Sequence, residues 1–333
     1  MTQAARPWLA PLVPLYRLGI ALRSLGLRSG LEQVRRLRAP VISVGNLSTG
    51  GAGKTPLAIA LARGLEQRGL QVDVLSRGYG RTDKTSAKVD PRGSAERFGD
   101  EPLVIAREAG IPVYVATHRY QAGLLAEKES TANRVIHLLD DGFQHRQLHR
   151  DVDILLVAEA DLQDHLLPAG NLREPLDAIR RATVVALTMP DAPLPDAPNV
   201  EQTLRRRGLW QGPVWRLHRR MQVPRIEGPV VAFCGIARPG QFFAGLEGAG
   251  LHVASRIAFA DHQRYVQHDI DCILDAARTT RAAALITTEK DRVRLAPLLS
   301  SIPASLPLET AGLRVEIEDE ASAIDWIIGQ LPR

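Results

Sequence analysis

The chain has 333 residues and a formal net charge of +5, a length that allows two domains, each with its own core. Its two cysteines, Cys234 and Cys272, lie far apart and match no disulfide or metal-binding spacing. This excludes a disulfide-stabilised scaffold and suits a reducing cytosol.

The first 40 residues form a basic and apolar arm. They carry seven arginines (6, 17, 23, 28, 35, 36 and 38) against one acid, whereas the rest of the chain sums to −1. Apolar side chains run from Trp8 to Leu27, but Arg17 and Arg23 interrupt them, so this is not a transmembrane helix. No small-residue cleavage site indicates a secretory signal. We predict that residues 1–38 are an amphipathic segment that binds an anionic membrane surface.

Two other interpretations of the arm stay open. It is also compatible with a helix that packs on its own domain, or with a basic segment that binds nucleic acid. Few aromatic residues lie among the arginines, which weakens the nucleic-acid interpretation.

A glycine-rich turn follows the arm, between a predicted strand at 41–44 and a predicted helix that Gly69 ends. The turn has the sequence Ser48, Thr49, Gly50, Gly51, Ala52, Gly53, Lys54, Thr55. This is the pattern of a phosphate-binding loop, except that Ser48 replaces the first glycine. In such loops backbone N–H groups hold the phosphates, the lysine reaches the β- and γ-phosphates and the threonine binds Mg²⁺. We predict that residues 48–55 bind a nucleoside triphosphate, and a chance Gly-Lys-Thr is the weaker alternative.

Short apolar strands then alternate with helices. Strands are predicted at 72–75, 113–116, 135–139, 154–157 and 184–187, and helices at 102–109 and 120–128. This alternation predicts an α/β fold like that of P-loop NTPases, with a parallel sheet covered by helices on both faces. Ligands are expected at the carboxyl ends of the strands.

A second α/β unit is predicted after a boundary of prolines and aspartates at Asp191–Pro198. Its strands are expected at 230–234, 253–259 and 285–287, and extended segments at 215–218 and 313–317 flank it as a two-stranded linker. We therefore predict a nucleotide-binding kinase domain at 39–212, a smaller domain with its linker strands at 213–318, and a helix at 319–333 that returns to the first domain.

Acidic residues mark two further places. Asp140 and Asp141 directly follow the strand at 135–139, where a Walker B carboxylate binds Mg²⁺. Asp100 precedes a helix and is either an N-cap or the general base for an acceptor hydroxyl. Spacing alone does not decide between these roles. Asp261 and His262 follow a later strand and form a pair that would support such a base.

Two motifs argue against other functions. His145 and His149 stand one helical turn apart, but no third ligand accompanies them, so a transition-metal site is not favoured. Lys290 and Asp291 are adjacent, which does not fit the [NT]-K-x-D pattern of guanine recognition and disfavours a GTPase. A kinase for a soluble metabolite would leave the basic arm unexplained.

Six segments, taken together and in order, closely resemble the tetraacyldisaccharide 4′-kinase (lipid A 4′-kinase) family. They are residues 44–56, 76–81, 99–102, 140–145, 167–175 and 261–262. The resemblance implies ATP-dependent phosphorylation of the 4′-hydroxyl of a tetraacylated glucosamine disaccharide 1-phosphate, the lipid A precursor. It also implies peripheral attachment to the cytoplasmic face of the inner membrane. We expect no transmembrane span, no nucleic-acid ligand and no obligate protein partner. Gln263 departs from the family pattern, in which a second histidine is expected after Asp261-His262.

The resemblance also implies roles for individual residues. The expected catalytic residues are Lys54, Asp100 as the base and His262 as its supporting partner. The expected Mg²⁺ ligands are Thr55 and Asp140, with Glu101 and Gln144 as outer ligands. The expected substrate-binding residues are Arg77, Tyr79, Arg119, Asp141, His145, Asn171, Arg173 and Glu174.

Overall fold

A computed structural model describes residues 6–50, 53–130, 134–189 and 199–332; the boundary predicted at Asp191–Pro198 lies outside them. The strands of the first half are β1 (Val41–Asn46), β2 (Gln71–Ser76), β3 (Ala87–Lys88), β4 (Val113–Val115), β5 (Val135–Asp140), β6 (Val152–Val157) and β7 (Val184–Thr188). Those of the second half are β8 (Val214–Gln222), β9 (Pro229–Cys234), β10 (His252–Ala258), β11 (Ala284–Thr288) and β12 (Leu308–Ile317).

Within the described residues these strands form one sheet in the order β10-β9-β11-β12-β8-β7-β6-β1-β5-β2-β4-β3. Neighbouring strands run parallel except at the β3–β4 and β8–β12 pairs. Strands β1 and β6 are buried along their whole length, because helices cover both faces of a parallel sheet. The predicted α/β fold with a mainly parallel sheet is confirmed.

The two halves meet at an antiparallel ribbon. Residues 312–317 of β12 pair with residues 217–222 of β8. The start of β8 pairs in parallel with β7, and the start of β12 pairs in parallel with β11. The predicted pairing of the two flanking segments is therefore present, and it makes the sheet continuous. The division into domains at 39–212 and 213–318 stays a prediction.

The helices are α1 (Val13–Arg28), α2 (Lys54–Gln67), α3 (Ala95–Phe98), α4 (Asp100–Ala109), α5 (Arg119–Glu129), α6 (Val200–Arg206), α7 (Pro239–Gly248), α8 (Gln267–Thr280), α9 (Glu289–Arg294) and α10 (Glu320–Gln330). The last helix packs on α2. Gly64 leaves room for Ile324, and Arg68 bonds Asp325 at 2.8 Å.

Helix α1 has two apolar faces. Val13, Tyr16 and Ile20 pack against a core cluster of the first half. Leucines 15, 18, 22 and 25 are 54–68% exposed on the rest of the helix. One face of the helix thus packs on the first half of the protein, as the second interpretation of the arm predicted. The other face still presents apolar side chains to the surroundings. No helix in the described parts of the chain is both long enough and apolar enough to cross a bilayer.

Candidate active site

The phosphate-binding loop joins β1 to α2. Gly50 and Gly53 have φ values of 101° and 90°, a left-handed conformation that glycine adopts without a steric penalty. The Thr49 N–H donates to the carbonyl oxygen of Asn171 at 2.8 Å, which ties the loop to the 167–175 segment. Gly51 and Ala52 lie outside the described residues.

Lys54 opens α2 and points back over the loop. Its Nζ donates to Asn46 Oδ1 at 3.0 Å and lies 3.6 Å from Asp141 Oδ1. Thr55 is buried next to it in the first turn of α2. The ammonium group is therefore held at the N-terminus of a helix that already favours negative charge, which is where phosphates bind.

Arg173 holds Asp141 through two bonds. Its Nη1 and Nη2 donate to the two carboxylate oxygens at 3.0 and 2.9 Å, and Nη2 also contacts Asn46 Oδ1. Burial opposes the charge of Asp141, but Lys54 and Arg173 hold the pKa of its carboxyl well below the usual range. Asp141 is therefore an ionised acceptor at the end of β5, a form in which it can bind a sugar hydroxyl.

Asp140 is buried and lacks a partner. Its Oδ1 has no hydrogen bond, and Gln144 Oε1 is also buried without one. Burial, together with the nearby carboxylates Glu101 and Asp141, raises the pKa of Asp140 to about 7. Unpartnered oxygens at the end of a strand fit a bound Mg²⁺, which takes only one or two carboxylates and completes its shell with phosphate oxygens and water. The described residues hold no cluster of three or more His, Cys, Asp or Glu side chains arranged for a metal.

Asp100 and His262 meet across the two halves. Asp100 begins α4, and its Oδ2 lies 3.2 Å from His262 Nδ1. His262 has a left-handed φ of 58° in the turn after β10, and its ring lies 5.1 Å from that of Tyr79. The hydrogen bond to Asp100 raises the pKa of His262. The structure thus brings together two residues that lie 162 positions apart in the sequence.

Two cations at this place were not predicted from the sequence. Lys290 Nζ bonds Glu101 Oε1 at 2.6 Å, and Arg294 Nε donates to Asp100 Oδ2 at 2.8 Å. Burial opposes the charge of Lys290, but Glu101 and Asp100 raise its pKa to about 12. Both residues lie on α9. Of this helix, only Lys290 and Asp291 were used in the sequence-based prediction, and only to exclude guanine recognition. Basic residues at i and i+4 directly after a strand were the available signal.

The other predicted substrate residues lie around the same strand ends. Arg119 is buried, with its Nε unpartnered and its Nη2 3.5 Å from the carbonyl oxygen of Asp141. Arg77 and Tyr79 are exposed. Burial and the neighbouring Arg119 lower the pKa of His145 to about 3, so His145 is neutral.

Two of the predicted substrate residues are already bonded within the protein. Asn171 Nδ2 donates to Asp164 at 2.9 Å. Glu174 is buried and accepts two bonds from Arg181, at 2.6 and 3.0 Å. For these two residues the structure gives a structural contact, and their substrate-binding roles stay predictions.

Comparison with known proteins identifies the family. The family model for LpxK, tetraacyldisaccharide-1-P 4′-kinase, matches residues 5–331. A tetraacyldisaccharide 4′-kinase of Koribacter versatilis is 40% identical over 97% of this chain and 98% of its own length, and one of Geobacter metallireducens is 41% identical over 88% and 90%. A crystal structure of the "apo" form of LpxK from Aquifex aeolicus in complex with ATP superposes with a TM-score of 0.76 at 31% identity, covering 99% of this chain and all of that one. The chain therefore belongs to the tetraacyldisaccharide-1-P 4′-kinase family, as the six sequence segments indicated.

Proposed function

We propose that this protein transfers the γ-phosphoryl group of ATP to the 4′-hydroxyl of tetraacyldisaccharide 1-phosphate, giving the 1,4′-bisphosphate of lipid A synthesis. The observation that carries the proposal is the arrangement around the phosphate-binding loop. Lys54 lies beside Asp141 at the end of β5, and Asp140 is close enough to Lys54 and to Glu101, the neighbour of Asp100, for both to act on its pKa. The relatives of this chain are named for this reaction.

The loop at residues 48–55 binds the phosphates of ATP. Its N–H groups and the N-terminus of α2 meet the phosphate oxygens, and Lys54 neutralises the charge on the β- and γ-phosphates. For this, Lys54 exchanges its bond with Asn46 Oδ1 for one with a phosphate oxygen. A charged donor bonds an anionic oxygen more strongly than a neutral amide, so the exchange is favourable.

Thr55, Asp140, Glu101 and Gln144 would hold Mg²⁺, which is a proposal supported by the unpartnered oxygens of Asp140 and Gln144. The ion would neutralise phosphate charge. Glu101 accepts the Lys290 bond at Oε1, which leaves its second carboxylate oxygen for the outer shell.

Asp100 is proposed as the general base. It accepts the proton of the 4′-hydroxyl while the sugar oxygen forms its bond to the γ-phosphorus, and the bond from that phosphorus to the β–γ bridging oxygen breaks to release ADP. General-base help of this kind contributes roughly 10²–10⁴-fold. His262 orients the carboxylate. Asp100 and His262 belong to different halves and lie 3.2 Å apart, so the contact between the halves assembles the pair and would help to exclude water from the reaction.

The 1-phosphate of the substrate is proposed to meet arginines 77, 119 and 173. Arg119 supports this best, because its buried Nε lacks a partner and a phosphate oxygen would supply one. Asp141, His145 and Tyr79 would line the sugar. Neutral His145 can donate to or accept from a hydroxyl, whereas ionised Asp141 only accepts.

The arm is proposed to attach the protein to the cytoplasmic face of the inner membrane. Its exposed leucines on α1 would enter the acyl boundary, and its arginines would meet anionic headgroups. An acceptor carrying four acyl chains resides in the same boundary, so this placement brings the enzyme to its substrate.

The test is transfer of γ-³²P from ATP to purified tetraacyldisaccharide 1-phosphate in detergent micelles. The wild type is expected to give labelled bisphosphate, and Lys54→Ala is expected to give almost none. Lys128→Ala, at an exposed position on α5, is the matched control and should label like the wild type. ATP binding without lipid labelling by the wild type would overturn the proposal.

A further inference from the structure

Arg294 makes several contacts around Asp100, although its position in the sequence indicates no function. Its side chain is only 7% exposed. Nε donates to Asp100 Oδ2 at 2.8 Å, and Nη2 contacts the same oxygen. Nη2 also lies 3.2 Å from His262 Nδ1. The guanidinium group and the His262 ring therefore meet at the same oxygen of the proposed base, Asp100 Oδ2.

The far side of the guanidinium is fixed by groups of the second half. Nη1 donates to the carbonyl oxygen of Gly235 at 2.7 Å and to Asp291 Oδ1 at 3.1 Å. Asp291 is fully buried and accepts further bonds from the Tyr265 hydroxyl at 2.9 Å and the Thr288 hydroxyl at 2.6 Å. One side of the guanidinium is thus fixed by the second half, and the other side bonds Asp100. Because the guanidinium is planar, these contacts permit a single orientation of the Arg294 side chain.

We infer that Arg294 is a positioning residue for phosphoryl transfer, which holds the carboxylate of Asp100, and through that carboxylate the ring of His262, in the arrangement that the reaction needs. The inference rests on the proposed function, because it assigns Arg294 to the proposed base. Arg294 reaches Asp100 from α9, and His262 reaches it from the turn after β10. The base on α4 is therefore oriented by two separate elements of the second half.

Anchoring of α9 does not by itself explain these contacts. Asp291 already secures the helix through Thr288, Tyr265 and Gly235. The bonds from Arg294 to Asp100 do not attach α9 to any other part of the second half. They place a buried cation against Asp100 Oδ2, the oxygen that also bonds His262. A base that is misplaced by about 1 Å can lose roughly 10²-fold in rate, so a role in orientation has a measurable effect.

The experiment is a double-mutant cycle. Arg294→Met and Arg294→Lys are made alone and in an Asp100→Asn background, and kcat, KM for both substrates and calorimetric ATP affinity are measured. Arg294→Met alone is expected to lower kcat by about 10²-fold, with ATP affinity within about threefold of wild type. Arg294→Lys should recover at least about tenfold of that loss, because one cation returns. In the Asp100→Asn background, Arg294→Met should lower kcat by less than about threefold further, since the effects of residues that act as a unit are not additive.

Arg292→Met is the matched control. Arg292 lies on the same helix but donates to the carbonyl oxygen of Leu308 at 2.6 Å, and its variant should turn over like the wild type. If Arg294→Met does not fold, Arg294→Lys in the two backgrounds makes the same comparison.

Equal losses in both backgrounds, or a parallel loss of ATP affinity that lysine does not repair, would overturn the inference and leave the proposed function standing. Wild-type turnover by Asp100→Asn would instead remove the base assignment, and the inference with it. The two failures are therefore distinguishable.

Discussion

The exposed leucines of α1 predict how much membrane binding is lost when they are replaced by polar residues. Leu18 and Leu22 are 54% and 59% exposed. Full burial of a leucine side chain stabilises by about 1.5–3 kcal/mol, so moving the exposed part of each into a membrane should contribute about 1 kcal/mol. The double variant Leu18→Ser/Leu22→Ser should then lose about 2 kcal/mol of membrane binding, or roughly 30-fold. Adding Leu15→Ser and Leu25→Ser should bring the loss to about 10³-fold.

The assay is co-sedimentation with vesicles of anionic phospholipid, at fixed salt. The matched control is Leu124→Ser/Val266→Ser, because these side chains are similarly exposed, at 45% and 54%, but lie outside the arm. The control should bind like the wild type, and the thermal unfolding of both variants should be unchanged, since exposed side chains leave no cavity. Equal binding by the two double variants would refute the reasoning.

Three further outcomes are expected. Asp100→Asn should lower kcat by about 10²-fold or more while calorimetric ATP affinity stays within about threefold; an equal fall in affinity would make Asp100 a structural or metal-binding residue. Gly45→Ala should lower the free energy of unfolding by about 2 kcal/mol or more, because a Cβ there would lie 2.5 Å from Phe143 Cβ. The control, Gly329→Ala, has open space around it and should be neutral or stabilising; chemical denaturation measures both. Burial and a neighbouring carboxylate raise the pKa of Glu289 to about 7, so the folded protein keeps a proton that the unfolded chain releases above about pH 4.5. The free energy of unfolding should therefore fall by up to about 3 kcal/mol as the pH rises from 4.5 to 7; Glu289→Gln should flatten this slope, and an unchanged slope would contradict the assignment.

The part of the site that depends on neighbours in sequence was predictable. A glycine-rich turn between a strand and a helix contains its own phosphate-binding geometry, and Asp140 ends its strand. Lys290 and Arg294 were not predicted, because their partners Glu101 and Asp100 lie almost 200 residues away. Their role depends on direct contact between α4 and α9, which no local spacing encodes.

The fold was predictable to a similar extent. Apolar runs gave the strands, but the short β3 and α3 lie in the polar stretch 82–99, where no hydrophobic period distinguishes an element. A proline-rich segment predicted two units, and the extended segments at 215–218 and 313–317 predicted a two-stranded linker between them. The β8–β12 ribbon is that pairing, and it makes one sheet of the strands of both halves; this continuity was not predicted, because local patterns do not show which strand satisfies an edge.

The hydroxyl of Tyr16 donates to the carbonyl oxygen of Arg173 at 3.0 Å, and Arg173 is the residue that grips Asp141. If this helix rests on the lipid as proposed, its bond to the wall of the reaction site would fix the height of that site above the bilayer. An acceptor anchored by its acyl chains would present its sugar at one level, and the search for it would take place in two dimensions, at a high effective concentration. A disaccharide without acyl chains would meet the same residues but would lose this advantage.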